Sequence, residues 1–246
     1  MQASIALKDD PAQQAVLRLG DTCLVLGQRL AEWCGHAPVL EEDIALANMA
    51  LDLIGQARAL LSHAGRVSGH DEDQLAFLRD ERDYRNMTLA ELPRGDFAFT
   101  VMRNAIVATW LQLRWAQLTA GEDAELAAIA GKAVKEARYH QQHAVDWVVR
   151  LADGTEESRR RIDAALAHLW PYTAELFDSD AVDPQAHTLK APWLAQMGEI
   201  LAEATLALPR EGGFRSHAKR GMHTEHMGHL LATLQHLQRA YPGGVW

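Results

Sequence analysis

The sequence predicts an all-α protein. Apolar residues recur at three- and four-residue intervals along nearly the whole chain, no stretch alternates with period two over a strand's length, and no Asn-Gly hairpin turn occurs. Gly, Pro and Asp punctuate these apolar runs where helices end and begin.

The first helix is expected over about 12–33, with Leu17, Leu24 and Ala31 on one face and a stop at Gly35 and Pro38. The second follows over about 41–64. Glu41, Glu42 and Asp43 favour the positive end of its dipole, and Ile44, Leu51 and Leu53 are expected to face inward. Residues 65–94 are polar and charged and read as a long crossover, with one short helix starting near Asp71, Glu72 and Asp73 and carrying Leu75, Phe77 and Leu78. The third helix spans about 97–120 between Gly95 and Gly121, and the fourth about 122–152, stopped at Asp153-Gly154. A long connection allows parallel neighbours, so two helical hairpins joined by a crossover make a ferritin-like four-helix bundle. Additional C-terminal helices are expected over about 157–177, 187–208 and 224–240, the last after a Gly-rich, basic loop at 212–221. We read 1–246 as a single domain, with the bundle core at about 12–152 and the extra helices at about 157–240.

Composition narrows the function. With 48% hydrophobic and 23% charged residues the chain has enough apolar material for a large core. Its 24 Lys and Arg against 33 Asp and Glu, a net charge of -9, argue against nucleic acid and leave proteins or small molecules as partners. Cys23 and Cys34 are too few for a disulfide framework, pointing to reducing cytoplasm. The stretch from Met1 to Pro11 has no signal-peptide pattern, and the apolar runs are interrupted by Asp, Asn, Gln or Arg, so no membrane is expected. Seven tryptophans hint at interfaces, with the bundle core as the home of most.

Glu136 to His140 nearly spells the Glu-x-x-His signature of a helical di-iron site, but Tyr139 stands at the histidine position and His140 one residue further. No histidine in the chain has Asp or Glu three positions before it. A di-metal bundle needs a Glu from each of two helices and Glu-x-x-His from each of the other two. Here the second helix offers Asp52, with Gly55 where a histidine would stand, and the third has no acidic residue between Phe97 and Ala120. Asp52, Glu136, Tyr139 and His140 therefore read as vestigial positions, and no metal or catalytic residue is expected. Asp52 is expected to be tied to Asn48, Gln56 or an arginine, and Glu136 to Arg103 or a nearby lysine. The alternative is an independent metal-dependent oxidase using Glu32, Asp52, Glu136, His140 and His226 in an atypical site. His223, His226 and His229 drift around a helix at steps of three, and Thr224 with Glu225 reads better as a helix start. His140 and His143 form a second histidine pair. No nucleophile elbow or phosphate-binding glycine fingerprint is present. Asp83, Tyr84, Arg85 and Asn86, within the charged run from Arg79, are candidate contacts for a substrate or CoA-like ligand, against a solvated, ion-paired helix face.

Several blocks of the chain resemble a known family: Leu17-Arg-Leu-Gly-Asp21, Gln28-Arg-Leu-Ala-Glu-Trp-Cys-Gly-His-Ala-Pro38, Asp43 to Arg58, Phe77-Leu-Arg-Asp-Glu-Arg82 and Lys135-Glu-Ala-Arg-Tyr-His140. Leu169-Trp170, Thr173-Ala-Glu-Leu-Phe-Asp178 and His223-Thr-Glu-His226 through Gln238-Arg239 extend it. They resemble the iron-lacking structural subunits of the multicomponent bacterial phenylacetyl-CoA epoxidase. The resemblance implies a ferritin-like, non-catalytic subunit that pairs with a homologous catalytic subunit. That partner would hold the di-iron centre and epoxidise the aromatic ring with dioxygen and electrons from a reductase. It further implies a larger hetero-oligomer with a small bridging subunit, serving aerobic phenylacetate catabolism. The connection from Asp178 to His187 is shorter than the family pattern, and no catalytic residue carries over.

Overall fold

The computed structural model of the chain describes residues 4, 5, 7 and 10–244. Trp246 and most of the stretch read above for a leader signal lie outside them. Among the described residues are ten α-helices, four 3₁₀ turns and one isolated bridge, His217 to Met222, with no strand.

Helix α1 (Pro11–Ala31) opens on Asp10, whose carboxylate accepts from Ala12 N, with proline in the first turn where its missing N–H costs nothing. Every residue from Val16 to Gly27 is buried, so α1 is a central helix. Helix α2 (Leu40–Ser68) outruns its expected end by four residues. Gly65 stays helical, pressed under the His70 carbonyl, and the left-handed stop comes at Gly69 (φ 76°). Gly27 lets α1 approach α2: a Cβ there would meet the Ala50 carbonyl at 3.2 Å.

The expected inner face of α2 is corrected. Leu53 is buried, but Ile44 and Leu51 are exposed, and the core is lined instead by Leu46, Met49, Leu53, Leu60 and Leu61. Two apolar stripes run along α2, and helical spacing alone does not say which one faces the core. Of the described helices, α2 is long and apolar enough to cross a membrane, against the expectation of interruption; core helices of a bundle meet the same test.

The crossover holds α3 (Glu72–Phe77), opened by an Asp71–Gln74 capping box, and α4 (Thr88–Glu91), a single buried turn that apolar spacing did not announce. Helix α5 (Phe97–Leu118) is capped by Asp96 and buried continuously from Thr100 to Leu111. Helix α6 (Ala124–Ala152) starts at the Asp123 cap. Helices α1 and α2 pack as one hairpin and α5 and α6 as the other, with α2 and α6 meeting between them.

The C-terminal helices are shorter than expected. Helix α7 (Glu156–Leu169) gives way to a 3₁₀ segment, Trp170–Phe177, because Pro171 lacks the donor an α-helix needs. Helix α8 (Lys190–Glu203) ends before Thr205, a left-handed residue whose carbonyl and hydroxyl accept from Arg159. Helices α9 (Glu225–Leu234) and α10 (His236–Ala240) are divided at Gln235, whose amide donates to Ala76 O, Arg79 O and Tyr84 Oη. One continuous cluster of buried side chains runs from Val16 to Leu231, joining these helices to the bundle. Trp110, Trp115 and Trp193 are among its largest members, so the tryptophans mainly serve packing.

Candidate functional site

Three polar contacts bridge α2 and α6. His143 Nε2 lies 2.7 Å from Glu42 Oε2, His140 Nε2 lies 3.1 Å from Asp52 Oδ2, and Gln56 Nε2 donates to Glu136 Oε2 at 2.9 Å. Behind Gln56, the Cys23 thiol on α1 donates to its Oε1 at 3.5 Å, while Lys132 Nζ stands 3.3 Å from Glu136 on the outer side. Asp52 thus takes His140 in place of the expected Asn48, Gln56 or arginine. Glu136 takes Gln56 and a lysine, not Arg103, whose guanidinium donates to the Leu92 and Pro93 carbonyls. Burial lowers the His140 pKa and outweighs the opposing pull of Asp52 and Glu136. Burial likewise pushes the Cys23 thiol far up, with Glu136 and Asp21 adding to the shift, so this sulfur stays protonated.

This constellation does not fit a di-iron pair. Tyr139, the supposed ligand position, points outward and is 56% exposed, and the inward position is His140. The spacing error in Glu136–His140 is therefore weaker evidence than the identity of the inner residues. The inner face of α6 is otherwise Ala130, Ala133, Ala137, Ala144, Val148 and Ala152, and α5 contributes no carboxylate; its Thr109 hydroxyl accepts from Gln141. Glu42, Asp52 and Glu136 are each held by a different partner along the groove, and carboxylates that do not converge cannot offset the repulsion of two adjacent dications. Among the described residues no three His, Cys, Asp or Glu side chains converge on a point. Glu32 sits at the end of α1 on Arg29 at 2.6 Å, and His226 belongs to α9, so the atypical five-residue site is not assembled.

The candidate ligand-binding segment is a structural strap and not a solvated face. Arg79 and Asp21 form a bidentate pair with neither side chain exposed, and Arg85 N donates to the same carboxylate at 2.8 Å. Tyr84 is buried beneath the Arg79 guanidinium, its hydroxyl donating to Ala76 O; burial pushes its pKa up to about 12. Asn86 is buried and donates to Glu91 Oε2 at 2.9 Å. Asp83 accepts from Ser4 Oγ, and the Arg85 guanidinium donates to the Arg82 and Tyr84 carbonyls. Of these four, only Asp83 and Arg85 keep partly exposed side chains for an external ligand.

Two further buried carboxylates, which sequence reasoning missed, join this strap to the C-terminal segment. Glu91 accepts from Asn86, from Thr224 N at 2.6 Å, and faces His223 Nδ1 at 2.6 Å. Glu175 accepts from Thr88 N, Ser216 Oγ and Lys219 N. Their partners lie up to 133 residues away, beyond any local pattern. The His223 side chain is thus an internal partner, His226 is half-buried and His229 exposed, so the three do not share a site.

One surface feature stands beside the α2–α6 contacts. Leu40 (72% exposed), Ile44 and Leu51 (66%) lie on one stripe of α2, and Tyr139 is exposed on α6.

Comparison with known proteins accords with this architecture. A family model described as phenylacetic acid catabolic protein matches residues 1–246. The chain is 49% identical to a 1,2-phenylacetyl-CoA epoxidase subunit of Escherichia coli (strain K12), the match covering 94% of this chain and 97% of that protein. With its helical hairpins, crossover and appended C-terminal helices, the chain belongs to the phenylacetic acid catabolic protein family, whose fold is ferritin-like.

Proposed function

We propose that this chain is a non-catalytic, iron-free structural subunit of a cytoplasmic di-iron phenylacetyl-CoA epoxidase, acting in aerobic phenylacetate catabolism. The observation that carries the reading is the donor set between α1, α2 and α6. Cys23, Gln56 and Glu136 are linked in a chain of neutral and singly charged groups where a metal pair demands converging carboxylates. Chemistry then belongs to a homologous subunit that keeps those ligands, and this chain supports it as a rigid scaffold.

The exposed stripe Leu40, Ile44 and Leu51 with Tyr139 suits that partner, because a homologous bundle presents an equivalent long helix pair against which an apolar stripe packs. A small bridging subunit and a reductase complete the assembly. Any contact with the thioester's CoA portion from this chain falls to Asp83 and Arg85.

Co-expression with the catalytic subunit tests the proposal. Iron should partition with the partner, and turnover should require both chains. Stoichiometric iron in this chain purified alone, with oxygen-dependent turnover of its own, would overturn it.

A further inference from the structure

A cavity of about 220 Å³ lies between the 3₁₀ segment Trp170–Phe177, the start of α8 and the loop that follows α8, and shares no residue with the α2–α6 contacts. An apolar cavity of about 150 Å³ suffices for a benzene-sized guest. Rings form the floor: Trp170 and Phe177 each lean on Trp193, with centroids 5.3 and 5.1 Å apart. Ala174, Leu194 and the 48% exposed Leu208 supply apolar walls that solvent reaches.

Two charged residues complete the lining, and they meet each other. Lys190 Nζ donates to Glu211 Oε2 at 2.7 Å, the lysine from the first turn of α8 and the glutamate from the loop. Their side chains are 39% and 52% exposed, against 7% or less for the three rings, so the pair stands at the mouth and the rings at the back. The Trp193 Nε1–H is spent on the Ile106 carbonyl and the Thr173 hydroxyl on the Trp170 carbonyl, so the choice of head group falls to the mouth.

The pair at the mouth is asymmetric. Glu211 has a second cation, Arg215, at 3.6 Å, whereas Glu211 is the one carboxylate paired with Lys190 among the described residues. A carboxylate arriving at the mouth can therefore take Lys190 without stranding Glu211, and an exposed ion pair of this kind resists exchange only weakly. A cationic guest would have to draw Glu211 from both of its partners and would leave Lys190 beside it without a counter-ion.

We propose that this cavity binds a small monocarboxylate with an apolar body. The body lies over the rings between Ala174, Leu194 and Leu208, and the carboxylate replaces that of Glu211 on the Lys190 ammonium while Glu211 keeps Arg215. The site is independent of the structural role proposed above.

Titration of the full chain with cyclohexanecarboxylate, cyclohexanecarboxamide and acetate, read by calorimetry near neutral pH, tests this. Cyclohexanecarboxylate should bind saturably at one site, about fivefold more tightly than the amide and about tenfold more tightly than acetate. Lys190→Met should remove the preference for carboxylate over amide. Glu211→Gln, which takes away the competing carboxylate, should tighten cyclohexanecarboxylate binding about threefold and leave the amide unchanged. Both side chains are exposed, so both variants should fold as the parent does. Absence of saturable binding, or a carboxylate preference that survives Lys190→Met, would overturn the site. Equal affinities for carboxylate and amide in the parent chain would overturn the ligand class. So would acetate binding as tightly as cyclohexanecarboxylate, or carboxylate binding that is unchanged or weaker in Glu211→Gln.

Discussion

Arg79 reaches from the crossover into the bundle and grips the Asp21 carboxylate of α1 in a bidentate pair from which solvent is wholly excluded. The pair sits over the Tyr84 ring and shares its carboxylate with the Arg85 amide, so one ion pair sets the position of the whole strap against α1. A buried ion pair of this kind adds little net stability, but losing one partner strands the other charge. Arg79→Met should therefore destabilise the chain by about 3–5 kcal/mol in urea unfolding. The double variant Asp21→Leu with Arg79→Met should recover a large part of that loss, although the Arg85 amide stays unpaired.

His223 gives stability a pH dependence. Burial by itself would lower its pKa, but the hydrogen bond and charge of Glu91 outweigh burial and raise it above 6.5. The folded state then holds this proton more tightly than the unfolded state. The stabilisation is complete below about pH 6.5 and is lost as pH rises through the raised folded value. In His223→Gln, which keeps a donor but cannot titrate, the melting temperature should change less across about pH 6 to 8 than in the parent chain.

Glu136 separates a structural role from a metal site. Glu136→Gln keeps an acceptor for Gln56 and should leave turnover of the assembled enzyme within about twofold and its iron content unchanged. A metal site that used this carboxylate would lose both.

The α2 stripe predicts a separation between folding and assembly. Leu51→Asp changes a side chain that is 66% exposed, so the chain's own stability should shift by no more than about 0.5 kcal/mol. Co-purification with the catalytic subunit should nonetheless fail. The unsubstituted complex should persist at about 0.5 M salt, where Debye screening has removed most long-range charge attraction.

Helix ends were legible where a residue acts through its own backbone: Gly95 and Gly121 bracket α5, and Asp153-Gly154 stops α6. The two faces of α2 were not, since Leu51 and Leu53 are equally apolar and only the position of α1 and α6 tells them apart. The candidate site was half legible. That α5 carries no acidic residue is plain from the sequence, but the direction of Tyr139 depends on how α6 is rotated, and that is set by packing its alanines inward. Tyr84 and Asn86 looked like surface residues because their neighbours are charged. Arg79, one of those charges, points inward, and its partner stands 58 residues earlier.

The clasp formed by Glu91 and Glu175 also bears on biogenesis. Both carboxylates are buried only when residues 216–224 have come back over the crossover, and the bonds concerned join positions 132 and 44 residues apart. A nascent chain whose residues 216–224 are still inside the ribosome would carry these acids without partners. The hairpins can form early from local contacts, but the seal around α4 waits until that segment has emerged. Arrest or truncation near Gly221 should thus leave a helical, protease-sensitive body, with native resistance appearing only once residues 216–224 are free to fold back.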